Sequence, residues 1–230
     1  MRRIALAVAA TTALTIAALG AGTQSASAAP ATYNWTGFYV GGTLGGAWAD
    51  VNWSNVTLTT EPVKNSVSGF AGGGHIGFNH QMGSLVLGVE GSFLGTDLSG
   101  TSTSVVNPAA VRYTSKISWI ATVVGRLGFA WDRSLIYIDG GYAAGRVQTS
   151  GTQATIPDSF SLTKTESGWT IGGGWEFLFP NKWIFGIDYK YIDLGTTNRS
   201  STTATGIAFT ITDVNPTINV VTARLSWKFP

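Results

Sequence analysis

The sequence has no cysteine and few charged residues. Asp, Glu, Lys and Arg together make up only 11% of the 230 residues, less than half of the ~25% that is usual in a soluble domain. The missing thiols exclude disulfides, lipid attachment through cysteine and thiolate metal sites. Beyond residue 28 there is also no apolar run of the ~20 residues that a membrane-spanning helix needs.

What the chain has instead is glycine and aromatic residues. It contains 30 Gly, 9 Trp, 11 Phe and 7 Tyr. Few charges and many rings are typical of a protein in contact with lipid. Because backbone polar groups must be satisfied inside a bilayer, a membrane protein without membrane helices is expected to be a closed β-barrel.

The first 28 residues have the pattern of a secretory signal peptide. Arg2 and Arg3 precede an apolar stretch at residues 4–19, and small residues follow up to Ala28. We predict cleavage between Ala28 and Ala29, which divides the chain into a signal peptide (1–28) and one barrel domain (29–230). The alternative, an N-terminal anchor, is disfavoured because the apolar stretch is short and no basic cluster follows it.

Without the signal peptide the chain is close to neutral, with 12 basic and 12 acidic residues, since Arg2 and Arg3 are two of the 14 basic ones. The basic residues are not clustered, which argues against a nucleic-acid partner.

The C-terminal residues 222–229 (TARLSWKF) alternate polar and apolar side chains, as a strand with two different faces does. Eight segments share this period of two, at residues 37–49, 68–80, 85–97, 117–130, 135–147, 169–179, 183–192 and 218–229. The apolar faces are rich in rings in segment after segment, which favours lipid on the outside.

The connections between these segments alternate in length. Short ones lie at residues 80–84, 131–134 and 179–182, and long ones rich in Ser, Thr, Asn and Gly lie at 50–67, 98–116, 148–167 and 193–217. This alternation predicts an all-β fold, an eight-stranded antiparallel transmembrane up-and-down β-barrel. Its short turns face the periplasm and its four long loops face outward.

Opposite the apolar faces lie charged residues that we predict to point into the barrel, four of each sign. An eight-stranded barrel is only wide enough to be filled by its own side chains. We therefore expect these charges to pair as a polar plug; a narrow ion path through the same residues is the alternative. The set comprises Glu90, Arg126, Asp139, Glu176, Asp188, Lys190, Arg224 and Lys228.

Aromatic residues at the segment ends predict two girdles at the membrane interfaces. The outer girdle comprises Trp48, Trp119 and Trp169, and the periplasmic girdle comprises Phe129, Trp131, Phe179, Trp183, Trp227 and Phe229. Five basic residues predicted near the outer rim are candidates for contact with lipid phosphates: Arg112, Lys116, Arg146, Lys164 and Arg199.

The two histidines, His75 and His80, do not indicate an enzyme. Neither has a serine or carboxylate partner at a spacing that suggests catalysis. We predict no catalytic residue, no metal site and no cofactor.

Four motifs carry a resemblance to a known family. Residues 34–42 (NWTGFYVGG), 88–91 (GVEG), 125–133 (GRLGFAWDR) and 188–195 (DYKYIDLG) together resemble the small alphaproteobacterial outer-membrane barrels known as immunogenic or porin-family outer-membrane proteins. The resemblance covers essentially all of the mature chain. It implies a bacterial outer-membrane location, lipid and lipopolysaccharide as surroundings, and outward loops open to host or phage contacts.

The terminal strand is similar to the signal that the barrel-assembly machinery recognises in its clients. Trp227 and Phe229 supply the aromatic–any–aromatic ending, while Pro230 departs from it. The resemblance implies that this machinery and periplasmic chaperones are partners during biogenesis.

The leading functional hypothesis is a structural outer-membrane β-barrel protein that displays four extracellular loops and contributes to envelope integrity and surface interactions. Two alternatives stay open: a narrow porin or small-solute channel, and a soluble binder of the lipocalin type.

Overall fold

The computed structural model describes residues 33–56, 63–103, 111–153, 158–202 and 208–230. The signal peptide predicted at residues 1–28 lies outside them. Across the described residues, no helix is long and apolar enough to cross a bilayer.

Within the described ranges, nine strands form one antiparallel sheet that closes on itself. The order around the sheet is β1-β2-β3-β4-β5-β6-β7-β9, with β9 paired back to β1, and β8 pairs with β9 beyond the end of β7. The barrel therefore has eight walls, and the predicted fold class is confirmed. The strands are β1 (Gly37–Val56), β2 (Val63–Met82), β3 (Leu85–Thr103), β4 (Val111–Trp131), β5 (Ser134–Gln153), β6 (Asp158–Leu178), β7 (Trp183–Asp193), β8 (Thr197–Thr202) and β9 (Ala208–Lys228).

A turn splits the seventh wall into β7 and β8. Gly195 has a φ of +72°, a backbone conformation that glycine adopts without strain. Its N–H donates to Asp193 Oδ1 at 2.8 Å. Leu194, between these two residues, is buried. The turn thus places an apolar side chain inside the barrel at the point where the wall bends.

The three short connections lie where the sequence predicts them, and each contains a residue with positive φ. Gly83 (63°) joins β2 to β3, Asp132 (51°) joins β4 to β5, and Lys182 (67°) joins β6 to β7. Tight hairpins need such residues because their twist must match that of the strands.

The predicted long loops are wrong in extent, because most of their residues are strand. The seven long strands have 19 to 21 residues, about twice the 9–11 needed to cross a bilayer. Their Ser- and Thr-rich outer halves resemble loops in composition, yet they pair as regular ladders. The tips at 57–62, 104–110, 154–157 and 203–207 lie outside the described residues.

The outer halves separate into two four-stranded sheets. Pairing of β2 with β3 ends at Ser68–Ser99, and pairing of β6 with β7 ends at Trp169–Asp193. The other pairings continue several residues further outward. One outer sheet is therefore β3-β4-β5-β6 and the other is β8-β9-β1-β2.

The apolar face of each strand points outward. Most large apolar side chains on this face are 36% to 79% exposed, whereas most of the side chains between them are buried. Ile117 is an exception to the predicted pattern: the alternation over residues 117–130 predicts it on the lipid side with Trp119, but it is fully buried. The cause is a bulge between these two residues, which reverses the alternation.

Val123→Arg tests the outward face. Val123 is 64% exposed and lies between the rings of Trp119 and Phe129 on β4. A charge at mid-membrane depth is expected to lower the free energy of unfolding by about 2–4 kcal/mol. Urea unfolding of protein refolded in lipid vesicles measures the change.

The matched control is Thr101→Arg, an exposed position on β3 beyond the outer ring of aromatics. Its cost is expected to be about 0–1 kcal/mol. Equal stability of the two variants would contradict the lipid-facing assignment.

Candidate functional site

The inward side chains fill the barrel in three layers, and an apolar layer closes each end. The periplasmic apolar layer comprises Trp35, Val86, Ala130, Leu135, Tyr137, Leu178 and Ile184. The outer apolar layer comprises Ala47, Ala49, Val67, Ala71, Leu94, Leu98, Ile117, Ile120, Ala143, Val147, Ile192, Leu194, Ile218 and Val220. The charged residues lie between these layers.

Sequence reasoning missed both apolar layers because it looked for a polar inward face. The available signal was adjacent apolar pairs, such as Phe93-Leu94 and Trp119-Ile120. Such pairs indicate a strand that is apolar on both faces. One side chain of each pair faces outward and the other is buried inside.

The central layer is a cluster of seven charged side chains, each no more than 5% exposed. Arg126 lies 2.8 Å from Glu176 and 3.2 Å from Glu90. Arg224 lies 2.5 Å from Glu90 and 3.7 Å from both Glu176 and Asp188. Each arginine therefore bridges two strands or more.

A lysine extends the cluster. Lys190 Nζ lies 2.5 Å from Asp139 Oδ2 and 3.3 Å from Asp188 Oδ1. Lys228, the eighth residue predicted for this network, does not join it. Its side chain is half-buried at the periplasmic rim and forms no ion pair with the described residues. It occupies the last position of β9, too far along the strand to reach the centre.

Two tyrosines complete the cluster in the same way. Tyr39 Oη donates to Glu90 at 2.8 Å and accepts from Arg126 at 2.5 Å. Tyr137 Oη donates to Asp188 at 2.7 Å and accepts from Arg224 at 3.0 Å. The guanidinium of Arg126 also lies 3.8 Å from the centre of the Tyr137 ring, a cation–π contact.

These contacts form an internal repeat. In both sets tyrosine and acid are 51 positions apart and tyrosine and arginine 87. Tyr39, Glu90 and Arg126 therefore correspond to Tyr137, Asp188 and Arg224. The cluster has two similar halves, and each half contributes a tyrosine, a carboxylate and an arginine from three strands.

A glycine lies directly opposite each tyrosine. Tyr39 pairs with Gly77, and Tyr137 pairs with Gly174. A Cβ added at Gly77 would overlap the Tyr39 hydroxyl, and one at Gly174 would lie 2.6 Å from the Tyr137 hydroxyl. The rings lie across the space that these glycines leave, an arrangement that places both hydroxyls beside the charges.

His75 lies at the edge of the cluster and His80 outside it. The buried His75 ring places Nε2 2.7 Å from Ser226 Oγ. It borders a cavity of about 20 Å³ that is also lined by Glu90, Asp188 and Arg224, which is space for about one water. His80 is exposed near the periplasmic turn. No group of three His, Cys, Asp or Glu among the described residues is arranged to hold a metal ion.

The predicted girdle residues lie at the two ends of the outward face, all at least partly exposed. On β4, ten positions separate Trp119 from Phe129. At ~3.3 Å per residue and a tilt of ~40° this corresponds to about 25 Å, the height of the apolar band of outer-membrane barrels. Trp183 and Trp227 pack edge to face at 5.2 Å in the periplasmic girdle.

Two backbone hydrogen bonds hold the C-terminal end of β9 in place. Lys228 N donates to Lys182 O at 2.9 Å, and Phe229 N donates to Phe38 O at 2.8 Å. Trp227 and Phe229, the predicted assembly signal, are both exposed on the outward side. Pro230, which has no N–H, follows the last of these bonds.

A closed barrel with an apolar outer face, two aromatic ends and a filled interior is a transmembrane β-barrel. The family model for the outer membrane protein beta-barrel domain matches residues 14–229, and the chain belongs to this family. Its place is the bacterial outer membrane, so a soluble lipocalin-type binder is no longer an alternative.

Individual relatives agree with this assignment. The chain is 35% identical over 185 residues to the 31 kDa outer-membrane immunogenic protein of Brucella melitensis, covering 75% of this chain and 77% of the relative. It is 32% identical over 170 residues to the 22 kDa outer membrane protein of Rhizobium leguminosarum bv. viciae, covering 74% and 69%.

Among solved structures, the outer membrane protein OprG from Pseudomonas aeruginosa has the same fold. The match has a TM-score of 0.53 at 13% identity and covers 85% of this chain and 98% of OprG.

Arg126→Met is expected to destabilise the barrel strongly. The change leaves Glu90 and Glu176 buried without one of their cations, and removing one partner of a buried pair costs about 3–5 kcal/mol. Urea unfolding in detergent micelles measures the loss. Lys228→Met is the control and is expected to change stability by less than about 1 kcal/mol. Similar losses in both variants would contradict a central role for the cluster.

A pair of glycine substitutions tests the tyrosine positions. Gly77→Ala is expected to cost about 1–3 kcal/mol, because the new methyl group displaces the Tyr39 ring. A Cβ at Gly125 has no atom within 4 Å, so Gly125→Ala is expected to be neutral or stabilising by up to about 1 kcal/mol. The same unfolding experiment compares them, and the reverse order would refute the proposed packing.

Proposed function

We propose that this protein has a structural role, in which a closed barrel anchors four extracellular hairpins in the outer membrane. Those hairpins support envelope integrity and contacts at the cell surface. The observation that carries the proposal is the filled interior: a charged cluster lies between two apolar layers, and the cavity beside it has space for about one water.

The narrow-channel alternative requires a continuous path for water, which this interior opposes. An ion passing through the barrel would have to enter the outer apolar layer and separate the paired side chains of Arg126, Glu90 and Arg224. Opening such a path would pull apart oppositely charged side chains that are buried together. Each broken pair would cost several kcal/mol.

The length of the strands supports the surface role. Each hairpin continues well beyond the outer ring of aromatics, and the buried Leu98, Ile117 and Val147 of the outer apolar layer lie at the base of these extensions. The outer apolar layer therefore extends between the bases of the hairpins. Paired strands of this length carry the extracellular ends of the hairpins away from the membrane, where host cells or phage can contact them.

The role we propose is not catalytic. His75, the one buried histidine among the described residues, bonds to Ser226 below the outer apolar layer. Substrate cannot reach a base in that position without passing through this layer.

The proposal includes a route to the membrane. The signal peptide (1–28) is removed between Ala28 and Ala29, periplasmic chaperones carry the chain, and the barrel-assembly machinery recognises Trp227 and Phe229. Lipid and lipopolysaccharide then surround the finished barrel. The outward exposure of both rings on the terminal strand supports this recognition.

Planar-bilayer recording tests the closed interior. The purified, refolded protein is expected to give no stable conductance steps, whereas a porin of known conductance reconstituted in the same way provides the positive control. Stable steps whose ion selectivity changes in Glu176→Gln would show that ions pass the cluster, and would establish the channel alternative instead.

A further inference from the structure

Basic side chains gather on the outer face of β4 and β5, just beyond the outer girdle. Arg146 lies directly opposite Trp119, and Lys116 pairs with Gln148 two positions further along β5. Lys116 and Arg146 are therefore diagonal neighbours, with Cα atoms about 7–8 Å apart. Arg112 lies four residues further outward on β4, and all three side chains are exposed.

The described acid beside this patch neutralises only part of its charge. Asp97 lies 3.9 Å from Lys116, with its side chain 84% exposed, and such a pair is weak. At the same height on β7, Asp193 lies opposite Trp169, and the exposed Asp50 lies at the outer end of β1. Among the outer-rim residues whose side chains the structure describes, the basic ones thus lie on β4 to β6, away from Asp50 and Asp193.

A shallow apolar groove begins directly below the patch. It has a volume of about 800 Å³ and crosses the outward face of β1 to β4. Gly95, at its upper end, lies opposite Trp119, and Phe93 and Val123 form its walls. Its position between the two girdles is the depth of lipid acyl chains.

The barrel itself does not require the glycines in the floor of this groove. A Cβ added at Gly91 or Gly95 would meet its nearest neighbour at 4.0 or 3.7 Å, which is ordinary contact. A Cβ at the inward Gly73 would instead overlap the carbonyl oxygen of Phe93. Since glycine weakens a strand, the outward glycines cost stability without relieving any contact inside the barrel.

We propose that the basic patch and the groove together bind an anionic, multiply acylated glycolipid of the outer leaflet, the lipid A part of lipopolysaccharide. One acyl chain lies in the groove, and the anionic headgroup contacts Lys116 and Arg146, with Arg112 reaching further outward. Arginine and lysine bind phosphate and carboxylate through charge-assisted hydrogen bonds. The assignment rests on the proposed function, because it requires the Arg112 end of β4 to be extracellular.

The charge complementarity selects this ligand over a phospholipid. Two cations whose Cα atoms lie about 7–8 Å apart can each contact a separate anionic group of one headgroup. The aromatic ring of Trp119 lies at the membrane interface, between the basic patch and the groove. A molecule that occupies both sites must therefore be anionic at one end and apolar at the other.

The experiment uses the refolded full barrel in uncharged detergent and three probes: bisphosphorylated lipid A, its dephosphorylated form, and phosphatidylglycerol. Native mass spectrometry measures the affinity of each. The double variant Lys116→Gln/Arg146→Gln is expected to bind bisphosphorylated lipid A at least about 10-fold more weakly, since each charged hydrogen bond contributes ~1.5–3 kcal/mol.

A matched control removes two charges elsewhere. Arg133→Gln/Lys182→Gln lies at the periplasmic turns and is expected to keep lipid A affinity within about twofold. Gly91→Leu leaves every charge in place but fills the groove. It is expected to weaken lipid A binding without lowering the urea midpoint of the lipid-free barrel, because an added Cβ at Gly91 meets only ordinary contacts.

Three results would overturn the proposal. If phosphatidylglycerol bound as tightly as bisphosphorylated lipid A, the patch would be a general anion-binding surface. If dephosphorylated lipid A bound as tightly, the basic side chains would not contact the phosphates of the headgroup. Undiminished binding in both the charge and groove variants would exclude this face altogether.

A labelling experiment separates this inference from the proposed function. The chain has no native cysteine, so Thr101→Cys provides a single thiol at the outer end of β3. Labelling of intact cells by an impermeant maleimide, with no effect of the variants on lipid A, leaves the function standing and removes the inference. Labelling only after permeabilisation removes both.

Discussion

The constraint on which the barrel depends is the mutual neutralisation of charges that are held away from water. Glu90, Arg126, Glu176 and Arg224 come from β3, β4, β6 and β9 and meet at the axis. A strand that shifted by one residue would turn its charged side chain toward lipid. Pairing at the centre therefore fixes the register of distant walls together, and the apolar layers on either side keep water from competing for the charges.

The cluster also explains why the two halves of the barrel resemble each other. The set of Tyr39, Glu90 and Arg126 recurs 98 positions later. The two places where outer pairing stops, between β2 and β3 and between β6 and β7, lie four strands apart and so fall at corresponding places in the two halves. Inside the membrane the halves are joined through crossed ion pairs, such as Arg126 with Glu176. Outside it the walls separate into two sheets, and each sheet contains two strands from either half.

The period of two in the sequence was enough to predict the eight walls, the three tight turns and the side of each strand that carries charge. It could not predict where the strands stop, because Ser and Thr are frequent in loops and in exposed ribbons alike. It failed at Ile117, where a bulge reverses the alternation without any change in composition. The period of two also could not predict which side chains pair inside the barrel, since partners such as Tyr39 and Glu90 are 51 positions apart. The alternation predicts that the Lys228 side chain points inward, but it does not give the depth of this residue in the barrel. That depth, the position along the strand, decides which charges meet.

The filled interior determines where any activity of this barrel must lie. In a wider barrel both the lumen and the loops can bind ligands. Here the lumen is filled by the side chains that hold the walls in register. Outward surface is what remains, and its two parts differ in chemistry. The hairpins beyond the membrane offer polar ribbons that extend from the outer apolar layer. The membrane face offers rings around most of its circumference and a glycine-floored groove beneath Lys116 and Arg146. The glycines in this groove lower the stability of the strands that contain them, and the lipid that binds in the groove offsets that loss.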